Sequence, residues 1–133
     1  MYRDGSRPGE PFFFVGLWTI NRGPRIEILD DKKLTLDELT EKMHAFVRSK
    51  GWYEPDSKRP QTPRNLSISL ALEAAEILEH FQWNEEFDKD ELAGELADGA
   101  LYLLQLASIS EIDLEQAILK KLEINAKREW DSD

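Results

Sequence analysis

The sequence predicts an all-α fold, an antiparallel four-helix bundle behind a non-helical N-terminal extension. Three observations predict it. From residue 35 onward, apolar residues recur at helical spacing in four stretches, three opened by a capping pair and one following a proline. The connections between these stretches are mostly short, which favours antiparallel neighbours. Residues 1–34 have another texture: a polar, Gly- and Pro-containing start, then an aromatic and β-branched run without helical period.

Within that extension, MYRDGSRPGE reads as a loose tail. Residues 12–20, FFFVGLWTI, and the later RIEIL fit two short strands around a turn at Asn21 to Pro24. An apolar arm that packs on the domain or on a second subunit fits equally. The helical domain follows, residues 35–130. Thr35 with Glu38 has the spacing of a capping box, and the first helix runs through Leu39, Met43, Phe46 and Val47 to a stop near Gly51. YEPDSKRPQTP, with its three prolines, is a loop. The second helix is expected to begin around Arg64 to Ser67, after Pro63, and to reach about Trp83. Asp88 with Glu91 opens the third, which runs to about Ser108. Asp113 with Gln116 opens the fourth, which runs to about Arg128.

Composition removes several function classes. The chain has no cysteine, which rules out disulfides, thiolate zinc sites and a Cys nucleophile. A net charge of −10 repels a nucleic-acid backbone, so no polymeric nucleic acid is expected as partner. An anionic mononucleotide is repelled too, unless cations offset the charge. The apolar run at residues 12–20 is too short to span a bilayer, and no small-residue cleavage pattern follows it. The expected location is cytoplasmic, with no membrane partner.

The chemistry is carried by two acid pairs. In the second helix, Glu73 and Glu76 are three residues apart and share a face, and their neighbours from Leu70 to Leu78 are apolar in nearly every direction. A helix that is apolar all round is expected to be buried. The third helix repeats the arrangement with Glu95 and Asp98, beside Gly94 and Gly99, whose small size permits close approach. The connection centres near Glu86. Both pairs therefore lie about ten or eleven residues from it, at one height, roughly 16 Å from the turn at 1.5 Å per residue. Four converging carboxylates must either protonate or bind cations. Oxygen ligands alone favour a hard ion, Mg²⁺ or Mn²⁺. Di-iron bundles would want Glu-x-x-His, which neither pair supplies.

E-x-x-E followed about eighteen residues later by E-x-x-D resembles the MazG-like all-α nucleoside triphosphate pyrophosphohydrolases. PRNL at 63–66, FQW at 81–83, Asp98 followed by Tyr102, IDL at 112–114 and Asn125 with Arg128 resemble their dCTP pyrophosphatase branch, over about residues 35–130. The resemblance implies Mg²⁺-dependent cleavage between the α and β phosphates of a nucleoside triphosphate, giving a monophosphate and pyrophosphate. It implies Glu73, Glu76, Glu95 and Asp98 as metal ligands, and a homo-oligomer, dimer or tetramer. Trp52 and Trp83 match tryptophans near the base, and Asn125 matches a residue that reaches the phosphates. This chain departs from the pattern at Pro60 and Gln61, where Phe-His is usual, at Glu129, where Tyr is usual, and in a longer loop before Pro63. His44 sits one position away from the expected first-helix His. These departures touch base preference and leave the metal chemistry standing.

Other residues carry paired readings. Glu76 or Glu79 is the candidate base for the attacking water, Glu79 being otherwise a surface residue. Trp52 and Trp83 either stack on a base or pack in the core or an interface. Arg64 and Asn65 either face phosphates or, for Asn65, cap the second helix. Lys121, Asn125 and Arg128 share a helical face that suits a triphosphate tail, while Arg128 equally suits the helix dipole. Tyr102, one turn past Asp98, either supports a metal ligand or fills core. His44 and His80 read as ordinary helix residues. The competing functional readings are a non-catalytic helical oligomerisation module and a phosphohydrolase with another substrate.

Overall fold

The computed structural model describes residues 33–129, so the strand-or-arm expectation for the N-terminal segment lies outside the described residues. Four helices follow in order: α1 (Leu36–Ser49), α2 (Pro63–His80), α3 (Lys89–Ile109) and α4 (Leu114–Ala126). No strand occurs among the described residues.

Each start has a side-chain cap. Thr35 Oγ1 accepts from the Glu38 amide, and the Glu38 carboxylate accepts from the Thr35 amide at 2.8 Å, completing the capping box. Asp88 accepts from the Asp90 and Glu91 amides, and Asp113 from the Gln116 amide. A cap of this kind is worth about 1 kcal/mol. The second helix starts slightly earlier than expected because Thr62 is its cap and Pro63 its first residue, where a missing N–H costs nothing. It also ends earlier, at His80. Phe81 closes it and packs edge-on against Phe87, with ring centroids 5.4 Å apart, which turns the chain before Trp83.

Two helix ends are built alike. After α1, the Gly51 amide donates to Arg48 O and the Trp52 amide to Val47 O, with Gly51 at φ +67°. After α3, the Glu111 amide donates to Ser108 O and the Ile112 amide to Ala107 O, with Glu111 at φ 56°. Both are Schellman closures, which require a left-handed residue past the cap. Glycine meets that need without strain at 51. Its consequence is to fix where Trp52 leaves the helix.

Helix α3 is the central element, packed most extensively on α2, then on α1, and only slightly on α4. Leu66 of α2 and Tyr102 of α3 form the middle of the core, with Phe46, Leu70, Leu101, Leu106 and Ile109 around them. Met43 and Val47 bury the inner face of α1. The expectation that α2 is buried all round is corrected. Only Leu66, Ser69 and Glu73 are buried there, whereas Leu72 and Leu78 stand exposed. The single chain covers one stripe of the helix and leaves the opposite apolar stripe to solvent. In α4 no residue is buried, and Ile118, Leu119, Leu122 and Ile124 are all exposed. No helix among the described residues is long and apolar enough to cross a membrane.

Candidate metal and nucleotide site

The α2–α3 hairpin brings three of the four expected acids together. Carboxylate oxygens of Glu73, Glu95 and Asp98 lie within 4.8 Å of one another, one residue from α2 and two from α3. Glu73 and Asp98 are buried, at 2% and 6% exposure, and Glu95 is half-buried. Glu76, the fourth expected ligand, stands beside this trio rather than in it. It is close enough for its charge to act on both Glu73 and Asp98. The small residue Gly99 faces the pair: a Cβ there would meet the Glu73 Cβ at 3.9 Å, an ordinary contact.

This arrangement holds carboxylates in their proton-bound form when no cation is present. Burial, followed by the charges of Asp98, Glu76 and Glu95, pushes the Glu73 carboxyl up to about 8. Burial, followed by Glu95 and Glu76, pushes Asp98 up to about 7. One Glu73 oxygen, Oε2, is buried without a hydrogen-bond partner. A buried acceptor without a donor is costly, by about 1–3 kcal/mol. A cation supplies what these groups lack: positive charge against mutual repulsion and a partner for the orphaned oxygen. An all-oxygen donor set of this kind fits a hard divalent ion. Glu73, Glu95 and Asp98 are the residues that would hold it, with Glu76 alongside.

The remaining expected site residues fall into three groups. Tyr102 lies one turn past Asp98, is buried, and packs against Leu66 in the core. Trp52 packs edge-on against Phe46, which itself packs on that core, and the Arg59 guanidinium lies 5.5 Å from the Trp52 ring centroid. Tyr102 is thus part of the core, and Trp52 borders it through Phe46. Arg64 and Asn65 occupy the first turn of α2. Arg64 is exposed, while Asn65 turns its Nδ2 back to Pro60 O at 2.9 Å and is not the cap, a role taken by Thr62. Further out, Trp83 is 86% exposed on the α2–α3 connection, and Glu79 is half-buried one turn beyond Glu76. Lys121 and Arg128 are exposed and Asn125 half-buried, Arg128 lying just beyond the end of α4.

One polar chain escaped the sequence reading. Gln61 donates from Nε2 to Arg59 O at 2.8 Å. Gln105, wholly buried, donates to Gln61 Oε1 at 2.9 Å and to the Tyr53 hydroxyl at 3.2 Å. That hydroxyl meets His44 Nδ1 at 2.6 Å, and His44 Nε2 meets Ser108 Oγ at 2.7 Å. The available signal was Gln105 itself, a single amide inside the apolar run LYLLQLA, seven residues past Asp98 and therefore on the same face of α3.

Fold and site together define a class: all-α proteins that gather buried carboxylates from a helical hairpin into a cation site. No protein-family model matches the chain. It is 31% identical over 105 residues to human dCTP pyrophosphatase 1 and 30% identical over 105 residues to the mouse protein of that name. Each match covers 71% of this chain, which spans 58% of the length of those relatives. A crystal structure of a pyrophosphatase from Archaeoglobus fulgidus superposes with a TM-score of 0.59 at 33% identity, covering 73% of this chain and 94% of that one. The chain belongs to the MazG-like pyrophosphohydrolase family, on its dCTP pyrophosphatase-like side.

Proposed function

We propose that this protein hydrolyses (deoxy)nucleoside triphosphates between the α and β phosphates, releasing a nucleoside monophosphate and pyrophosphate, with dCTP-like compounds as first candidates. The observation that carries the reading is the buried Glu73–Glu95–Asp98 cluster, whose raised carboxyls and orphaned oxygen call for a cation. The names of the relatives support the bond and the base class. Mg²⁺ is the proposed ion, Mn²⁺ its substitute; when bound it offsets the charge of the phosphates and polarises their oxygens.

The chain's own residues divide the remaining work. Glu76 sits beside the trio and takes the proton of the attacking water, with Glu79, one turn on, the second candidate. Water oxygen bonds to the α phosphorus, the bond from that phosphorus to the bridging oxygen breaks, and pyrophosphate leaves. Trp52 offers a flat apolar surface for the base. Arg64 and Lys121 supply exposed cations, and Asn125 and Arg128 polar contacts, for the triphosphate tail. The test is a panel of ribo- and deoxyribonucleoside triphosphates with Mg²⁺ in H₂¹⁸O, read as pyrophosphate release. The label is expected in the monophosphate. Label confined to pyrophosphate sinks attack at the α phosphorus, and no turnover of any triphosphate sinks the reading as a whole.

A second copy of the chain is the proposed partner. Leu72 and Leu78 of α2, Leu96 and Leu103 of α3, and the apolar residues of α4 are too many exposed side chains for a helical surface meant for water. Light scattering at micromolar concentration should read a multiple of 15.4 kDa, two or four. A monomer at every concentration would remove this part of the proposal.

A further inference from the structure

The polar chain at the far end of the core from the acid cluster has a direction. It starts at Arg59 O, a carbonyl, which can only accept. The Gln61 amide must therefore aim its NH₂ at Arg59 and its oxygen at Gln105. That oxygen requires Gln105 to aim its NH₂ at Gln61 and Tyr53. The Tyr53 oxygen then receives a hydrogen from Gln105, and its own proton has one acceptor, His44 Nδ1. An imidazole that accepts at Nδ1 carries its proton at Nε2, from which it donates to Ser108 Oγ. This orientation leaves the other Gln105 side-chain atom, its oxygen, buried without a partner.

We propose that His44 is a positioning residue: as the neutral Nε2–H tautomer it carries a one-way hydrogen-bond chain on to α3, and this chain clamps the segment between α1 and α2, and Trp52 with it, onto α1 and α3. The geometry ties two points of that segment, Tyr53 and Gln61, to His44 of α1 and Gln105 of α3, with Gln61 also bonded back to Arg59 O and His44 to Ser108 of α3. Trp52 is held between this anchor and the Gly51 turn. A second proton on His44 would turn Nδ1 into a donor facing the Tyr53 oxygen, and the phenol proton would need another acceptor. The charges acting on the ring come from α1, Glu41 favouring protonation and Arg48 opposing it, while α3 presents the neutral Ser108 and the loop the neutral Tyr53. Burial is the largest influence and lowers the pKa of His44 below its ordinary value. The sign follows: the clamp is complete above the ordinary histidine value and is lost as pH falls through the lowered one.

Only the role of Trp52 rests on the pyrophosphatase reading; the clamp does not, and its test uses no activity. Long-range ¹H–¹⁵N correlation spectra of the full chain, recorded from pH 5 to 8, are expected to show His44 as the Nε2–H tautomer with a midpoint below the ordinary histidine value. Tyr53→Phe keeps the ring and removes the hydroxyl. It should raise the His44 midpoint toward the ordinary histidine value and speed tryptic cleavage after Lys58 several-fold, whereas Ser49→Ala at the exposed end of α1 should change neither. Should Tyr53→Phe fail to fold, the wild-type tautomer and the pH dependence of cleavage after Lys58 decide the matter. An Nδ1–H tautomer, or cleavage at Lys58 that does not rise on acidification through the His44 midpoint, overturns the proposal. Neither result bears on pyrophosphate release, so failure of the clamp and failure of the enzyme reading are separable.

Discussion

Glu73→Gln should lower pyrophosphate release by on the order of 100-fold or more, since loss of even a residue that merely supports a metal ligand costs about 10–100-fold. The same variant should not be less stable without metal. At pH 7 the wild-type carboxyl, pushed up to about 8, is mostly protonated, and glutamine is close to that neutral form in shape and charge. The unfolded wild type is ionised at pH 7, however, so its folding must take up a proton, and the variant should already melt at a somewhat higher temperature. At pH 9 the wild type must hold an ionised Glu73 against Asp98, Glu76 and Glu95, and the variant is expected to melt at the higher temperature. Adding Mg²⁺ should raise the midpoint of the wild type and hardly move that of the variant, because only an ion that prefers the folded state stabilises it. Thermal melts at the two pH values, with and without Mg²⁺, give all four comparisons. A variant that retains full activity, or that responds to Mg²⁺ as the wild type does, removes Glu73 from the cation site.

What could be read in advance was whatever local chemistry decides. Three of the four helix starts were legible because a capping side chain and an amide that donates to it lie three residues apart, and Thr35, Asp88 and Asp113 do what their spacing says. The meeting of Glu73 with Glu95 and Asp98 was legible because an antiparallel hairpin equates distances from its turn. That argument fixes height along the helices but not rotation about them, and for this reason it did not distinguish Glu76 from the trio. The burial of α2 was misjudged on related grounds. Periodicity shows that a helix has apolar faces, but not whether its own chain covers them, and Leu72 and Leu78 are left uncovered. The clamp was out of reach because its members, His44, Tyr53, Gln61 and Gln105, come from four places in the sequence and meet only after the core has formed.

Cation affinity should rise with pH and then level off. With no ion bound, Glu73 and Asp98 titrate near 8 and 7, above their ordinary carboxylate ranges, because burial and neighbouring acids disfavour the charged forms. A bound Mg²⁺ needs both ionised, so below pH 7 its binding must expel up to two protons. The Mg²⁺-dependent rise in melting temperature should therefore be small at pH 6, grow steeply through pH 7 and 8, and flatten above. The metal-free protein should show the opposite trend. A group whose pKa is higher folded than unfolded stabilises the fold at low pH, and that contribution fades as pH rises through the folded value. Stability without metal is thus expected to decline between pH 6 and pH 9. For a domain of this size each kcal/mol moves the midpoint by roughly 4 °C or more. The gap between the two curves, widening with pH, is the signature of a cation replacing protons within one buried carboxylate cluster. Parallel curves would mean that Mg²⁺ acts elsewhere on the acidic surface, where carboxylates are already ionised at pH 6 and no protons are released.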